Sequence, residues 1–323
     1  MKTALTALAL LATLPAQASS KLCVYDPAGR SGDYFAMVQS FADEHPQYDL
    51  EVKPYTDEEL AARDYDAKHC SGVMATGARL QRFNNFSSTL EAIGALPEYR
   101  DLTAMVVYGL QDRRAENLVK GEHETVGFIP VGAVYLVVRD RNINTVGELA
   151  GKKIATLDFD KASPVMVDKV GAIGVPADLG TLGPKFNNGD VDAVYVSAPA
   201  FEPFELQKGI GSKGGVLKYP LAQATLQLMV RSSDLPDDFG KTSRAWFAEH
   251  VDDGVAIAKK AESGIPASSW VTVEGTEDFD DMFIDVRVAL RNAGTYNGTL
   301  LSDMRKTRCY RDKSRPECVE KRE

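Results

Sequence analysis

Two arginines stand three residues apart in residues 73–86, VMATGARLQRFNNF, directly after an apolar run and a glycine. The guanidinium of arginine is a planar, two-pronged donor that matches a carboxylate or a phosphate. Because residues i and i+3 share one face of a helix, Arg79 and Arg82 could both point into a cleft and clamp an anion. The alternative is that one of them pairs with an acidic helix. We expect at least one of the two to face the cleft.

Polar segments also follow two other runs that read as strands. Tyr25 is followed by the loop DPAGRSGD, and residues 192–201, DAVYVSAPAF, end in small and aromatic residues. In open α/β sheets, ligands bind beyond the carboxyl ends of parallel strands, where loop N–H groups and aromatic walls are available. The alternatives are that Tyr25 and Tyr195 only cover the sheet edge and that Arg30 is solvated. The predicted ligand-binding residues are Tyr25, Asp26, Arg30, Ser31, Thr76, Gly77, Arg79, Arg82, Phe83, Asn84, Tyr195, Ser197, Pro199 and Phe201.

Motifs for catalysis, cofactors or metals give no positive signal. The sequence has no GxSxG elbow and no HExxH pair, and its histidines are scattered: His45, His69, His123 and His250. Residues 209–214, GIGSKG, satisfy GxGxxG, but that motif binds pyrophosphate only between a strand and a following helix. Here a predicted helix precedes it and a strand follows, so we interpret it as a loop. We expect a protein without catalytic residues, cofactor or metal. A secreted enzyme remains an alternative, because catalytic groups meet in space rather than in sequence.

The elements that would position these residues alternate between strand and helix. Residues 21–25, 48–55 and 70–76 read as strands, separated by helical patterns over residues 34–45 and 56–67. Thr56 is the candidate N-cap of the second helix. This order is typical of a parallel sheet with helices on its faces.

A second unit of the same kind follows a long β-rich passage over residues 125–138. Residues 151–158 and 190–197 read as its strands, and Ser163-Pro164 as the N-cap and first turn of a helix over residues 165–174. The chain returns through strands near 222–231, and from 234 onward it is mainly helical. We therefore predict an α/β fold of two lobes, each a mainly parallel sheet flanked by helices and joined by hinge strands. One lobe spans 19–130 plus 226–323, and the other spans 131–225.

The amino terminus and the charge limit the function classes. A basic start, an apolar run over residues 4–14 and the ending PAQA are typical of a secretory signal peptide, predicted over residues 1–18. The apolar run is shorter than the roughly 20 residues of a membrane span. The formal charge is −9, or −10 without Lys2, which gives no general attraction to nucleic acid or to an anionic membrane. We expect a periplasmic protein without direct membrane insertion.

Four cysteines, Cys23, Cys70, Cys309 and Cys318, fit an oxidising compartment. Four cysteines allow three pairings. Cys309 and Cys318 enclose a short polar loop, whereas Cys23 and Cys70 begin two strands that are neighbours in a doubly wound sheet. We predict two disulfides; the alternative, a zinc site, lacks a CxxC or a histidine cluster.

Three stretches resemble a known family: TVGELAGKKIATLD, MVDKVGAIGVPAD and FNNGDVDAVYVSAPAF. In this order they are similar to periplasmic solute-binding proteins of the TRAP-transporter (DctP-like) type, while VMATGARLQRFNNF looks closer to a related group of solute-binding proteins. The resemblance covers most of the mature chain. It implies a two-lobed periplasmic binding protein (type II-like) that closes on a ligand and delivers it to an inner-membrane permease without chemistry.

One position departs from the family pattern. TRAP proteins for organic acids usually carry an arginine directly after KKI, where it pairs with the ligand carboxylate, and this sequence has Ala155. Either Arg79 or Arg82 replaces that anchor from the other lobe, or the ligand is not a simple carboxylic acid. We expect Arg79→Ala and Arg82→Ala to leave folding intact, and at least one of them to weaken ligand binding by about 10-fold or more.

The leading functional hypothesis is a receptor that serves a TRAP-like importer and binds a small polar ligand, with anions among the candidates. The alternative is a periplasmic accessory protein of an envelope transport or efflux system that has no tight ligand of its own. Ligand-induced thermal stabilisation separates these two hypotheses.

Overall fold

The computed structural model of the chain describes residues 19–322. The predicted signal peptide, residues 1–18, lies outside the described residues. No helix within residues 19–322 combines the length and the apolar character needed to cross a bilayer.

The strands follow one another in two groups along the chain. They are β1 (Ser20–Tyr25), β2 (Leu50–Tyr55), β3 (Gly72–Thr76), β4 (Val119–Lys120), β5 (His123–Val138), β6 (Lys153–Leu157), β7 (Ile173–Ala177), β8 (Ala193–Ser197), β9 (Gly215–Leu217), β10 (Ala222–Arg231) and β11 (Trp270–Val271).

Helices separate the strands and make up most of the carboxyl-terminal part. They are α1 (Asp33–Glu44), α2 (Glu58–Asp66), α3 (Gly77–Leu80), α4 (Asn85–Ser88), α5 (Tyr99–Gly109), α6 (Ala115–Leu118), α7 (Ala162–Lys169), α8 (Leu179–Asn188), α9 (Leu206–Ile210), α10 (Phe239–Glu249), α11 (Val251–Gly264), α12 (Thr276–Asn292), α13 (Gly298–Arg311) and α14 (Pro316–Glu320).

The sheet has the strand order β2-β1-β3-β10-β5-β8-β6-β7. In the first lobe, β1 pairs in parallel with both β2 and β3, as the sequence predicts for the first and third strands. In the second lobe, β6 pairs in parallel with both β7 and β8. The predicted two-lobed α/β fold is confirmed.

The lobes are joined by the antiparallel pair β5 and β10, which are the predicted crossing and return strands. β5 pairs with β10 toward the first lobe and with β8 from Val134 to Val138 in the second. Their register shifts between Ala224 and Thr225, opposite Gly132 and Pro130. Gly132 has φ +100, a backbone conformation that favours glycine. One of the two register shifts in this strand pair therefore lies at the crossing between the lobes, and the other lies between Leu228 and Met229.

Side chains of successive strand residues enter different cores, because they point to opposite faces of the sheet. In β1, Leu22 and Val24 belong to the main core. Cys23 belongs to a smaller cluster that also contains Tyr65 of α2. In β6, Ile154 and Ala155 divide in the same way between the main core and the second-lobe core. The helical tail contacts both lobes, since α12 packs on α7 of the second lobe.

Both predicted disulfides are present. Cys23–Cys70 joins β1 to the loop before β3, because Cys70 lies two residues before the start of that strand. The two Cα atoms are 6.0 Å apart. Cys309–Cys318 joins α13 to α14, with Cα atoms 5.5 Å apart.

Several predicted element boundaries are wrong, for identifiable reasons. The N-cap of α2 is Asp57, whose carboxylate accepts from the Leu60 N–H at 3.0 Å, and not Thr56. The helix α7 begins at Ala162, so Ser163 lies inside its first turn. It also ends at Lys169, and residues 173–174, predicted to be helical, belong to β7. β7 is an edge strand whose residues are mostly exposed, so it lacks the alternating pattern that reveals a strand.

Candidate functional site

A cavity of about 190 Å³ lies at the carboxyl ends of the parallel strands, between the two lobes and beside the crossing strands. Its wall is mostly apolar, with a few polar groups from each lobe. The residues that line it are Tyr25, Pro27, Tyr34, Thr76, Ala78, Gln81, Ser88, Glu91, Ile93, Val131, Val134, Leu157, Phe159, Asp160, Lys161, Ala162, Ser163, Met166, Leu179, Leu182, Tyr195, Val196, Ser197, Pro199, Ala200, Phe204, Leu221, Ala222, Gln223, Ala224, Leu226 and Tyr296.

Five of the predicted ligand-binding residues line this cavity: Tyr25, Thr76, Tyr195, Ser197 and Pro199. Tyr25, Thr76 and Ser197 are the last residues of β1, β3 and β8, Pro199 lies just beyond β8, and Tyr195 lies in the middle of β8. The rule that ligands bind at this edge of an α/β sheet therefore located the cavity. Contact between these residues and a ligand remains a prediction.

Glu91 dominates the first-lobe wall. It ends the short 3-10 turn Thr89–Glu91, and its Oε1 accepts from the Gly77 N–H at 2.9 Å and from the Thr225 N–H and hydroxyl at 2.8 and 2.7 Å. Its Oε2 accepts from the Ala78 N–H at 2.9 Å. Burial raises the pKa of Glu91 to about 7, although these hydrogen bonds act in the opposite direction. The carboxylate is thus held by four donors of the protein itself.

Gly77 makes this arrangement possible. A Cβ at this position would lie 2.4 Å from Gln227 Nε2 and 2.8 Å from the carboxyl group of Glu91. The predicted site residue Gly77 therefore brings its N–H to an internal carboxylate, and it does not line the cavity.

The two arginines of the opening stretch have different surroundings, and neither lines the cavity. The Arg79 Nε lies 3.3 Å from Oε2 of the fully buried Glu58, and its guanidinium lies 3.7 Å from the centre of the Phe159 ring in the second lobe. Arg82 pairs with Asp66, and its side chain is 51% exposed. Each thus has a carboxylate partner within the first lobe. As ligand contacts, both remain a prediction without support from the geometry.

Asp26 is another predicted site residue that the protein uses internally. Its side chain is 2% exposed and accepts from the N–H groups of Ala28 at 2.8 Å and of Tyr34 and Phe35 at 3.0 Å each. It therefore caps α1 and closes the loop after β1. Its effect on the cavity is indirect, since Tyr25 and Tyr34 of the same segment line it.

Asp160 and Tyr195 form the polar centre of the second-lobe wall. The Tyr195 hydroxyl accepts from the Leu157 N–H and donates to Asp160 Oδ2, both at 3.1 Å. Asp160 Oδ1 accepts from the Ala162 N–H at 2.8 Å, at the start of α7. Burial raises the pKa of Asp160, and burial followed by the charge of Asp160 raises the pKa of Tyr195. The pair is therefore a partly buried acid beside a hydroxyl that stays protonated.

The remaining predicted residues lie outside the cavity lining. Arg30 and Ser31 are exposed in the loop before α1, and the Ser31 hydroxyl donates to the Ala28 carbonyl. Phe83 packs edge-on against Tyr65. Two further residues have structural roles: Asn84 caps α4 through the N–H groups of residues 86 and 87, and Phe201 is buried in the second-lobe core.

The sequence prediction missed several groups that line the cavity. Asp160 lies just beyond the carboxyl end of β6, so the strand-end rule would have found it. Glu91 and Tyr296 lie in irregular segments whose approach to the cavity depends on tertiary packing, and no local pattern indicates them.

No separate metal centre emerges from the described part of the chain. Cys23, Cys70 and Asp64 have ligand atoms close together, but the two sulfurs are bonded to each other. The loop predicted at residues 209–214 is confirmed for residues 211–214, which lie between α9 and β9, whereas residues 209 and 210 end α9. A helix precedes the segment and a strand follows it, as predicted.

Residues 37–323 match the model of a family described as "Solute-binding protein AdeT 1/2". The Acinetobacter baumannii protein named "Probable solute-binding protein AdeT1" is 37% identical over 302 residues, which cover 92% of this chain and 99% of that protein.

Two solved TRAP periplasmic solute-binding proteins share the fold. The one from Desulfovibrio salexigens, with bound orotic acid, has a TM-score of 0.74 at 15% identity and covers 90% of this chain and 98% of its own. The one from Shewanella oneidensis, with bound succinate, has a TM-score of 0.69 at 11% identity and covers 90% and 99%. The chain therefore belongs to the AdeT 1/2 family of solute-binding proteins, with the two-lobed fold that TRAP receptors also have.

Proposed function

We propose that this chain is a periplasmic receptor that binds one small organic solute between its lobes and presents it to a membrane permease of the TRAP type. One observation carries the proposal: both lobes contribute side chains to a single cavity beside the strands that join them. Closure of two lobes around a solute buries it and creates a distinct closed surface. A permease can recognise that surface.

The lobe boundaries that we propose are 130/131 and 225/226, with the carboxyl-terminal helices in the first lobe. The shifted register at Ala224 and Thr225 and the left-handed backbone of Gly132 support a hinge there. An irregular strand pair bends at lower cost than a regular ladder. The Arg79–Phe159 contact would then form on closure and break on opening.

The location and the partner rest on the amino terminus and the family. The predicted signal peptide would direct the chain across the inner membrane, and both structural relatives described above are periplasmic. The orotic acid and succinate that those relatives hold suggest the size of the solute. We do not infer the charge of this protein's solute from the charge of those two ligands.

A thermal-shift experiment tests the receptor assignment. A ligand that binds only the folded state at 100 times its Kd stabilises a protein by about 2.7 kcal/mol, which for a chain of this length raises Tm by roughly 4 °C. We expect such a shift from at least one member of a panel of small acids, alcohols, sugars and amines. The bound molecule, recovered after incubation and weighed by mass spectrometry, should be chemically unchanged.

A variant that fills the cavity gives the control. Ala162 lines the cavity, so Ala162→Leu should abolish the shift, whereas Ala289→Leu on the exposed face of α12 should preserve it. If no compound in the panel shifts Tm, the accessory role without a tight ligand replaces the receptor assignment. Conversion of a bound compound would instead favour an enzyme.

A further inference from the structure

The strand-end positions at which this cavity could anchor an anion are absent or already used. Ala155, in the middle of β6, is buried in the second-lobe core and has no polar side chain. Arg79 is paired with Glu58, and Arg82 with Asp66. The N–H groups of Gly77 and of the residue after it, which point from the end of β3, donate to Glu91. A solute carboxylate would find no free donor at any of these positions.

The charged groups in the lining are mainly acidic. Glu91 and Asp160 both line the cavity, and neither forms an ion pair with any arginine, lysine or histidine of residues 19–322. Lys161 is the cation of the lining, and it is exposed. A partly buried carboxylate without a cationic partner is costly in its ionised form. Burial accordingly raises the pKa of both acids, so each would gain from a bound cation.

Two buried polar atoms in the lining are also unused. Gln223, 1% exposed, has an Oε1 without a hydrogen-bond partner among the described residues, and the same holds for the hydroxyl of Tyr34, 4% exposed. An amide oxygen can only accept, and a tyrosine hydroxyl can accept as well as donate. Native structures satisfy most buried polar atoms. These two are therefore available to a solute that donates hydrogen bonds.

The rest of the wall fits an apolar body. Leu157, Phe159, Met166, Leu179 and Val196 line the second-lobe side. The cavity volume of about 190 Å³ exceeds the roughly 150 Å³ of an apolar cavity that holds benzene. A single ring or a branched aliphatic group with one polar substituent matches this space.

Resting on the receptor function proposed above, we propose that the solute is an organic ammonium ion: a protonated amine on a small apolar body. Its N–H groups would donate to Asp160 and to Gln223 Oε1, and the field of Glu91 would favour the positive charge. The apolar body would lie against the second-lobe side chains. The site would thus have a charge preference opposite to that of a receptor for organic acids.

Matched compounds that share one skeleton test this preference on the unmodified protein. Benzylamine, benzyl alcohol and benzoate carry charges of +1, 0 and −1 on the same ring, and cyclohexyl and isobutyl series repeat the comparison. We expect calorimetry at pH 8 to give the amine at least about 10-fold tighter binding than the alcohol and the acid of its series, as charged hydrogen bonds require.

A pair of aspartates supplies the variant test. In Asp160→Asn, the amide keeps an oxygen for the Ala162 N–H and can donate to the Tyr195 hydroxyl, so the fold should tolerate it. Asp158→Asn makes the same charge change two residues away, at an exposed position outside the lining. We expect Asp160→Asn to weaken amine binding about 10-fold or more and Asp158→Asn to leave it within about twofold.

The outcomes separate this inference from the receptor function. Tight binding of acids, or equal binding of amines and alcohols, would overturn the charge preference and leave the receptor function standing. Absence of binding by all compounds of every charge in this series and in the broader panel would overturn both. The wild-type series decides the question even if a variant does not fold.

Discussion

The two walls of the cavity differ in how many hydrogen bonds their carboxylates accept from the protein. On the first-lobe wall, Glu91 receives four hydrogen bonds from the protein, and the neighbouring Glu58 is paired with Arg79. On the second-lobe wall, Asp160 receives one bond at each oxygen, from Ala162 and Tyr195. Each carboxylate oxygen can accept about two hydrogen bonds, so Asp160 keeps acceptor capacity that Glu91 has largely used.

This difference indicates that the first-lobe wall mainly stabilises the fold and that the second-lobe wall is available for binding. The first-lobe wall is a network in which N–H groups, a hydroxyl and Arg79 satisfy the two carboxylates and fix the end of β3, so changes there should mainly affect folding. The second-lobe wall holds a single acid and the hydroxyls of Ser163, Tyr195 and Ser197, so changes there should mainly affect the solute. Substitutions on the two sides therefore test the division directly.

The largest expected effect is the loss of Arg79. Arg79→Ala leaves Glu58, whose side chain is fully buried, without its cation, and breaking a buried ion pair in this way costs about 3–5 kcal/mol. Arg82→Ala removes an exposed pair and should cost about 1 kcal/mol or less. Urea unfolding at pH 7 measures both. This revises the expectation from the sequence that Arg79→Ala leaves folding intact.

Equal, small effects from both arginine variants would show that the first-lobe network does not stabilise the fold. The distinction between a wall that stabilises the fold and a wall that binds solute would then be wrong for the first lobe. A double variant with Glu58→Gln should recover part of the stability lost in Arg79→Ala, because it removes the unpaired buried charge.

The sequence predicted the fold well because the fold depends on repeated local patterns. The alternation of strands and helices, the crossing strands and the two disulfides all leave short-range signals in composition and spacing. β7 was missed because an exposed edge strand needs no alternation of apolar residues. The fold is therefore specified by many residues, and one wrongly assigned element does not change the predicted fold class.

The site was predicted only where a residue stands at a strand end. Tyr25, Thr76 and Ser197 follow that rule, and all three line the cavity. Arg79 and Asp26 also follow it, but internal partners hold them, and a sequence does not show which partner a charged side chain finds. Glu91 reaches the cavity from an irregular turn, so its role depends wholly on tertiary contacts.

A pH titration gives the next prediction. Because burial raises the pKa of Glu91 from 4.5 to about 7, the folded state holds the proton more tightly than the unfolded state. The stabilising contribution of Glu91 is thus fully present below about pH 4.5 and is lost as pH rises through about 7. The free energy of unfolding of the wild type minus that of Glu91→Gln should fall from pH 5 to 8, by at most about 1.4 kcal/mol per pH unit.

Glu148 provides the matched control for this titration. It also accepts from backbone N–H groups, those of Asn144 and Thr145, but it is exposed, and these hydrogen bonds, led by that of Asn144, lower its pKa. Its contribution is lost only as pH falls below its ordinary range, so the difference for Glu148→Gln should be flat from pH 5 to 8. A flat curve for Glu91→Gln as well would mean that Glu91 is not buried as the structure has it.

Loss of a single tyrosine hydroxyl from either wall should have a smaller effect than loss of Arg79. Tyr195→Phe leaves the Leu157 N–H without its acceptor and Asp160 Oδ2 without its donor, which should cost about 1–2 kcal/mol. Tyr296→Phe on the other wall removes only a bond of 3.4 Å from the Ile93 N–H and should cost less than about 1 kcal/mol. Urea unfolding at pH 7 measures both variants. Because Tyr195→Phe frees an oxygen of Asp160, binding of an ammonium solute should survive it, as calorimetry can check. A loss of stability as large as that of Arg79→Ala would make this wall part of the scaffold too.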